Sequence, residues 1–179
     1  MNLIYRLLLT FNATSLIIVI FLIKEGFVIN SLHEYLTSLP NYVSFIIYFS
    51  VPVILTYMSL FISKYLGNSN VTKGSVIEVE NANNAFLPSY LGYFFVALSV
   101  NHCETLIFVF AILFIFTFLS QTLYFNPLFL FFGYHFYNIS TTNKSKLFII
   151  SRKAITKVDD LEFPSLKRIN NFTFIDRKK

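Results

Sequence analysis

Apolar residues are gathered into four runs along the first 125 residues, and polar segments separate these runs. Crossing the roughly 30 Å hydrocarbon core of a bilayer takes about 20 helical residues. The third run, "FLPSYLGYFFVALSV", reaches that length only if the helix is extended at both ends, to residues 85–103. The pattern therefore predicts four membrane-spanning helices, at about 3–23, 42–62, 85–103 and 105–125.

Only the tetrapeptide Asn101-His102-Cys103-Glu104 separates the third and fourth runs. We interpret the two runs as a helical hairpin with a tight turn on one side of the membrane. The alternative is one long helix over 86–125. It is disfavoured because Asn101 and Glu104 would then lie in hydrocarbon, where polar and ionisable groups are costly.

Positive charge is distributed unevenly about these runs. Of the 14 Lys and Arg residues, Lys24 alone falls between the first and second runs. The other 13 precede the first run, follow the second or follow the fourth. Because cytoplasmic loops carry an excess of Lys and Arg, the pattern predicts a multi-pass protein with both termini in the cytoplasm.

The connecting segments carry weaker patterns. In the outer loop, Phe27, Leu32, Leu36 and Leu39 recur near helical spacing, with His33 and Glu34 beside them. This loop is either an interfacial helix or an outward-facing sensor surface. In the inner loop, "VIEVE" (76–80) alternates partly and is compatible with a short strand.

The segment after the fourth run, residues 126–179, is basic and strand-like. "GYHFYNIS" and "KLFIIS" flank the turn residues "TTNKS", which predicts a β-hairpin at about 133–151. A lone hairpin is marginally stable in water. It therefore needs a partner, which is "VIEVE", a neighbouring subunit or another protein. The predicted fold class is an all-α membrane protein, with a transmembrane domain over 1–125 and a hairpin-containing cytoplasmic tail over 126–179.

Composition supports a membrane protein and gives no sign of an enzyme. The chain is 55% hydrophobic and 13% charged, against about 25% charged in soluble domains. A single cysteine excludes an internal disulfide, and no catalytic or metal-binding motif is present. The turn at His102-Cys103-Glu104 would need a second subunit to bind a metal, and a solvated turn is the preferred interpretation. We predict no catalytic, cofactor or metal site.

Small residues form a stripe along the third predicted helix. They are spaced by three or four positions, so they lie on one face. In lipid, small residues let another helix approach closely. The stripe predicts a helix-packing seam at Ala85, Ser89, Gly92, Val96, Ser99 and Cys103.

Aromatic and basic residues of the tail suggest a docking surface. Such a mixture suits a protein partner, and the less favoured alternatives are a membrane surface or nucleic acid. The predicted partner-docking residues are Tyr134, Phe136, Tyr137, Phe148, Ile150, Lys167, Arg168, Phe172 and Phe174.

Three stretches resemble a known family. They are "NNAFLPSYLGYFFVALSV", "GYHFYNIS…KLFIISRK" and "SLKRINNFTFID", and the chain is similar to the KwaA family, the membrane component of the Kiwa anti-phage defence system. The resemblance implies a bacterial inner-membrane protein that assembles as a homo-oligomer, a tetramer. It also implies a cytosolic, DNA-binding partner of the KwaB type, so direct nucleic-acid binding by this chain is not expected.

Our hypothesis is a non-catalytic membrane sensor and scaffold. The outer loop and helices register membrane disturbance and contact lipids, and the tail recruits and regulates the cytosolic effector. The alternative is an oligomeric pore or immunity-type protein that alters permeability on infection. It rests on the mild polar residues of the helices and on Pro52. A simple anchor without sensing is the third interpretation.

Overall fold

The structure is a computed structural model that describes residues 2–31, 38–85, 87–120, 126–155, 158 and 161–177. The predicted amphipathic element around Leu32 and Leu36 lies outside these residues, as do His33 and Glu34. The end of the fourth apolar run, 121–125, also lies outside them.

Three of the described helices are long and apolar enough to cross a membrane. They correspond to the first, second and fourth apolar runs of the sequence. The described chain also contains two shorter α-helices and two single-turn 3-10 helices, at Ile29–Ser31 and Ser63–Tyr65. The helices are α1 (Asn2–Lys24), α2 (Asn41–Ile62), α3 (Leu87–Ser99), α4 (Cys103–Ser120) and α5 (Leu128–Phe131).

The prediction of four spanning helices is wrong, because α3 is too short. Its 13 residues rise only about 20 Å. The segment before it is held elsewhere: the Ala82 amide donates to the Phe136 carbonyl, and the Asn83 side chain accepts from the Phe136 amide. These bonds tie residues 82–83 to a strand, so the helix begins only at Leu87.

Six strands form one mixed sheet. Its order is β1-β5-β6-β4-β3-β2, in which β4 and β6 are parallel and the other neighbours are antiparallel. The strands are β1 (Asn68–Val71), β2 (Val76–Asn81), β3 (His135–Thr141), β4 (Lys146–Ser151), β5 (Phe163–Arg168) and β6 (Thr173–Asp176).

The all-α fold class is therefore also wrong. The expected hairpin corresponds to β3 and β4, but it is part of a larger sheet. Of the three partners considered for it, the structure supplies "VIEVE", which is β2 and pairs with β3. The loop between α2 and α3 thus contributes two strands, which complete the sheet together with the four strands after residue 126.

The sheet is curled into a partly closed barrel. Strands β1 and β2 are its opposite edges, yet only residues 72–75 connect them. That connection spans at most about 18 Å. The edges of a flat six-stranded sheet would be about 24 Å apart, at roughly 4.8 Å per strand. The two edges must therefore approach one another.

Side chains from the inner face of the sheet fill the barrel. All are at most 8% exposed, and residues of the 152–162 segment pack against them. The register places consecutive residues such as Phe136 and Tyr137 on opposite faces, so both faces of β3 are apolar. The interior comprises Val71, Val76, Tyr137, Ile139, Ile149, Phe163, Leu166 and Phe174.

We expect the barrel interior to dominate the stability of the strand part. Phe163 is 0% exposed, whereas Phe172 is 57% exposed. Phe163→Ala should cost about 3–5 kcal/mol because it leaves a cavity, and Phe172→Ala less than about 0.5 kcal/mol. The measurement is urea unfolding of the detergent-solubilised chain, followed by circular dichroism. Equal effects of the two substitutions would contradict the assignment.

Candidate functional site: the junction between helices and barrel

Helix α1 is the central element of the helical part. It packs against α2, α3 and α4. Its basic residues also bind the C-terminal ends of two neighbours. Arg6 Nη2 donates to the Phe118 carbonyl at 3.4 Å, and its guanidinium lies 4.9 Å from the Phe118 ring centre. Arg6 thus places a positive charge beside a backbone carbonyl in the last described turn of α4, where the helix dipole is negative.

Lys24, at the other end of α1, likewise contacts a backbone carbonyl of a neighbouring segment. Its ammonium donates to the Val100 carbonyl and, at 2.9 Å, to Asn101 Oδ1. Glu25 lies 3.3 Å from the same ammonium. A cation at the negative end of the α3 dipole is stabilising. The contacts place the end of α3 and the turn before α4 beside the end of α1.

At the barrel end, the helices and the outer face of the sheet share one apolar core. Tyr5 and Leu9 of α1 enter this core, with Leu60 of α2 and Phe129 of α5. We call this core the junction. Its barrel side consists of Phe136, Phe148, Ile150, Ile169 and Ile175. Because each helical contributor is at most 7% exposed, the helix ends and the barrel cover one another.

Three aromatic rings run through the junction. Phe129 meets Phe136 edge to face, with ring centres 6.1 Å apart and planes at 78°. Phe136 stacks on Phe148 at 5.8 Å and 13°. Such pairs contribute about 0.5–1.5 kcal/mol each beyond the area they bury. The ring series therefore connects α5 to the two adjacent strands β3 and β4.

Charged groups border the junction on the barrel side. Burial raises the pKa of the Tyr134 hydroxyl, against the opposing effect of the Arg152 and Arg177 cations. The Arg152 guanidinium lies 4.6 Å from the Tyr134 ring centre. Asp176, which is 2% exposed, accepts from Ser151 Oγ at 3.1 Å and lies 3.8 Å from the Lys153 ammonium. These contacts anchor the last strand beneath the helices.

The mild polar residues of the helix cores are mainly satisfied within their own helices. The hydroxyls of Thr10, Thr14 and Thr56 each donate to the carbonyl four residues earlier, at 2.8–3.0 Å. This back-bonding replaces the interhelical bonds that such residues often form. Between elements, Asn126 Nδ2 donates to Thr56 Oγ1 at 3.0 Å.

Most of the predicted helix-packing seam is exposed. Val96 is half-buried, and the other five residues are exposed. A methyl group added at Gly92 would meet no atom within 4 Å. Helix α3 uses the adjacent face against α1, where the Tyr90 hydroxyl donates to the Ala13 carbonyl at 3.0 Å. The described chain leaves the seam open, so its role in packing between subunits stays a prediction.

The predicted docking residues fall into three groups. Tyr134, Phe136, Phe148 and Ile150 belong to the junction, and Tyr137 and Phe174 to the barrel interior. Lys167 donates to the Leu66 carbonyl and to Asn68 Oδ1. Arg168, which is exposed, donates to Asn171 Oδ1 at 2.7 Å. Phe172 is exposed and lies beside Phe148, so the docking prediction now rests on Phe172 and Arg168.

No pattern in the sequence indicated the helical half of the junction. Tyr5 and Leu9 are spaced by four and lie on one face of α1, but inside an apolar run nothing distinguishes that face. The burial of the barrel residues, in contrast, is indicated by the sequence. Consecutive apolar residues such as Phe148, Ile149 and Ile150 are typical of a strand buried on both faces.

The described residues contain no group of three or more His, Cys, Asp or Glu side chains that could hold a metal ion. The structure defines a protein with three helices able to cross a membrane, packed on a six-stranded barrel.

Residues 5–175, nearly the whole chain, match the family model described as anti-phage protein KwaA. The chain belongs to this family, and its function lies in anti-phage defence. Comparison with curated proteins gave no match, and comparison with solved structures gave none either.

We expect Lys24→Met to loosen the C-terminal end of α3, because the Val100 carbonyl there loses its cation. A favourable dipole contact is worth about 1 kcal/mol, so amide exchange over 94–106 should rise about fivefold. Hydrogen-exchange mass spectrometry of the solubilised chain measures this. Lys64→Met is the matched control, since Lys64 follows the C-terminal end of α2 and its ammonium lies over the Phe61 ring. Unchanged exchange in the Lys24 variant would contradict the capping role.

Proposed function

We propose that the chain is a multi-pass protein of the bacterial inner membrane, with both termini and the barrel in the cytoplasm. The large apolar side chains on the outside of α2 and α4 support this placement: Ile54 is 55% exposed and Phe108 is 68% exposed. In water such a surface is costly, whereas in lipid it is not. The positive-inside rule favours the barrel side as cytoplasmic, because Lys24 alone lies at the opposite end.

We further propose that the protein senses disturbance of the membrane and transmits it to the barrel. The single observation that carries this proposal is the junction, in which α1, α2 and α5 share a core with β3, β4 and β6. Close-packed cores transmit displacement instead of absorbing it. A change in lipid packing that tilts α1 or α2 would therefore shift the strands directly.

The output is recruitment and regulation of a cytosolic, DNA-binding effector of the KwaB type. The exposed ring of Phe172 supports this, since large exposed aromatic side chains are the usual anchors of protein interfaces. The open seam of α3 and the exposed apolar faces of α2 and α4 support assembly into a homo-oligomer, a tetramer. Most of the described polar residues on which a pore would depend are buried in a single chain, with Asn12, Thr14 and Thr56 at 0% exposure and Ser120 exposed, so sensing is better supported.

The orientation can be tested with the single native cysteine. Cys103 is exposed at the turn before α4, so a membrane-impermeant maleimide should label it in cells with a permeabilised outer membrane. In a Cys103→Ser chain that carries Asn171→Cys on the barrel, labelling should require disruption of the inner membrane. Labelling of both positions under the same condition would contradict the proposed orientation.

Docking of the effector can be tested without unfolding the barrel. Deleting residues 133–179 would remove four of the six strands, so a point substitution is sharper. Phe172→Ala should lower capture of the effector on membranes about thirtyfold, because an interface anchor is worth about 2 kcal/mol. Ile77→Ala, at 61% exposure, is the control. Undiminished capture with Phe172→Ala would argue against docking at this site.

A further inference from the structure

A charged groove lies on the outer face of the barrel, next to the junction. Its volume is about 630 Å³, within the range of small-molecule sites. Phe148, whose ring is part of the junction, and the exposed Phe172 both line the groove. The polar lining consists of Glu78, Glu80, Asn138, Ser140, Lys144 and Lys146.

The groove has an acidic wall and a basic wall. Glu78, Ser140 and Lys146 occupy one row across β2, β3 and β4, so the carboxylate and the ammonium begin two strand spacings apart, roughly 10 Å. The Glu78 carboxylate accepts a long hydrogen bond from Ser140 Oγ, and the Glu80 carboxylate accepts one from Asn138 Nδ2, both at 3.4 Å. Within the described ranges, neither the two glutamates nor the two lysines form an ion pair.

The position of the groove relative to the helices indicates what it faces. Asn138 and Ser140 alternate with the inward Tyr137 and Ile139, so they share the outer face with Phe136. That face packs against the helix ends at the junction. If the helices cross a bilayer, as proposed above, the part of this face beyond the helices lies beside lipid headgroups. The groove begins there, directly after Phe148.

We propose that this groove binds the phosphoethanolamine headgroup of a membrane phospholipid, an inference that rests on the proposed membrane placement. The primary ammonium of the headgroup donates to Glu78 and Glu80, and its phosphate accepts from Lys144 and Lys146. The separated opposite charges favour a zwitterion, because a purely anionic headgroup would meet two carboxylates. The Phe172 ring covers the glycerol end of the headgroup.

The chemistry of the ammonium makes the proposal testable. Phosphatidylethanolamine has three N–H donors, whereas the methylated ammonium of phosphatidylcholine has none. Native mass spectrometry of the full chain in detergent, titrated with each lipid, should show about tenfold tighter binding of phosphatidylethanolamine, since one charge-assisted hydrogen bond suffices for that factor. The double substitution E78Q/E80Q should abolish this preference. K144Q/K146Q should weaken binding of both lipids.

The control is E104Q, which removes an exposed carboxylate at the other end of the bundle and should leave both affinities unchanged. Equal binding of the two lipids by the unaltered chain would overturn the proposal, as would a preference that survives E78Q/E80Q. Groove variants that keep the lipid preference but lose a cytosolic protein partner would reassign the groove to protein docking. Circular dichroism checks that the variants fold.

Failure of the headgroup assignment is separable from failure of the membrane placement. Alkaline extraction of cell membranes reports whether the chain is integral, independently of the groove. A chain that stays in the extracted membrane but shows no lipid preference retains the placement and loses the headgroup site. A chain released by alkali overturns both the placement and the headgroup site.

Discussion

The shared core at the junction is the constraint on which the rest of the structure depends. The barrel has two apolar faces, and its own side chains fill only the inner one. Without the helix ends, Phe136, Phe148, Ile150 and Ile175 would form an exposed apolar patch on the outer face, which soluble monomers rarely tolerate. Leu60 and Phe129 would lose their cover at the same time. The helices and the barrel therefore form one cooperative unit, although they would lie in different solvents.

This coupling explains why β1 and β2 lie between two helices in the chain. The chain leaves α2, enters the barrel through β1 and β2, and returns to the helices as α3. Asn83 binds the Phe136 amide and lies 3.0 Å from His135 Nδ1, so the start of α3 is held at the barrel. Lys24 holds its other end. Hydrogen bonds near both ends of this 13-residue helix therefore connect it to α1 and to β3.

Hydrophobic length and charge were sufficient to predict the three long helices, because lipid selects for length and apolarity alone. They failed for α3, whose extent is set by tertiary hydrogen bonds at residues 82–83. Strands β3 and β4 carried a local signal, whereas β1 ("NSNV") and β5 ("FPSLKR") did not. Their strand conformation depends on pairing with distant segments. Six of the nine predicted docking residues are buried in the junction or the barrel interior, because large apolar side chains are most often buried in a fold.

Within the helical part, some polar groups along α1 have hydrogen-bond partners and others do not. Its ends are held by Arg6 and Lys24, which compensate carbonyls of α4 and α3. Asn12 near its middle is 0% exposed, and no described residue forms a hydrogen bond with its side-chain amide. Leaving such a group without a partner costs about 1–3 kcal/mol. The Tyr5 hydroxyl, at the barrel end of α1, is also buried without a hydrogen-bond partner among the described residues, whereas the Ala13 carbonyl next to Asn12 accepts from Tyr90. Unsatisfied polar groups of α1 therefore lie both in the junction and near the middle of the helix. Because Tyr5 and Leu9 are buried in the junction, the barrel end of α1 packs directly on the strands, and tilt of α1 would change these contacts.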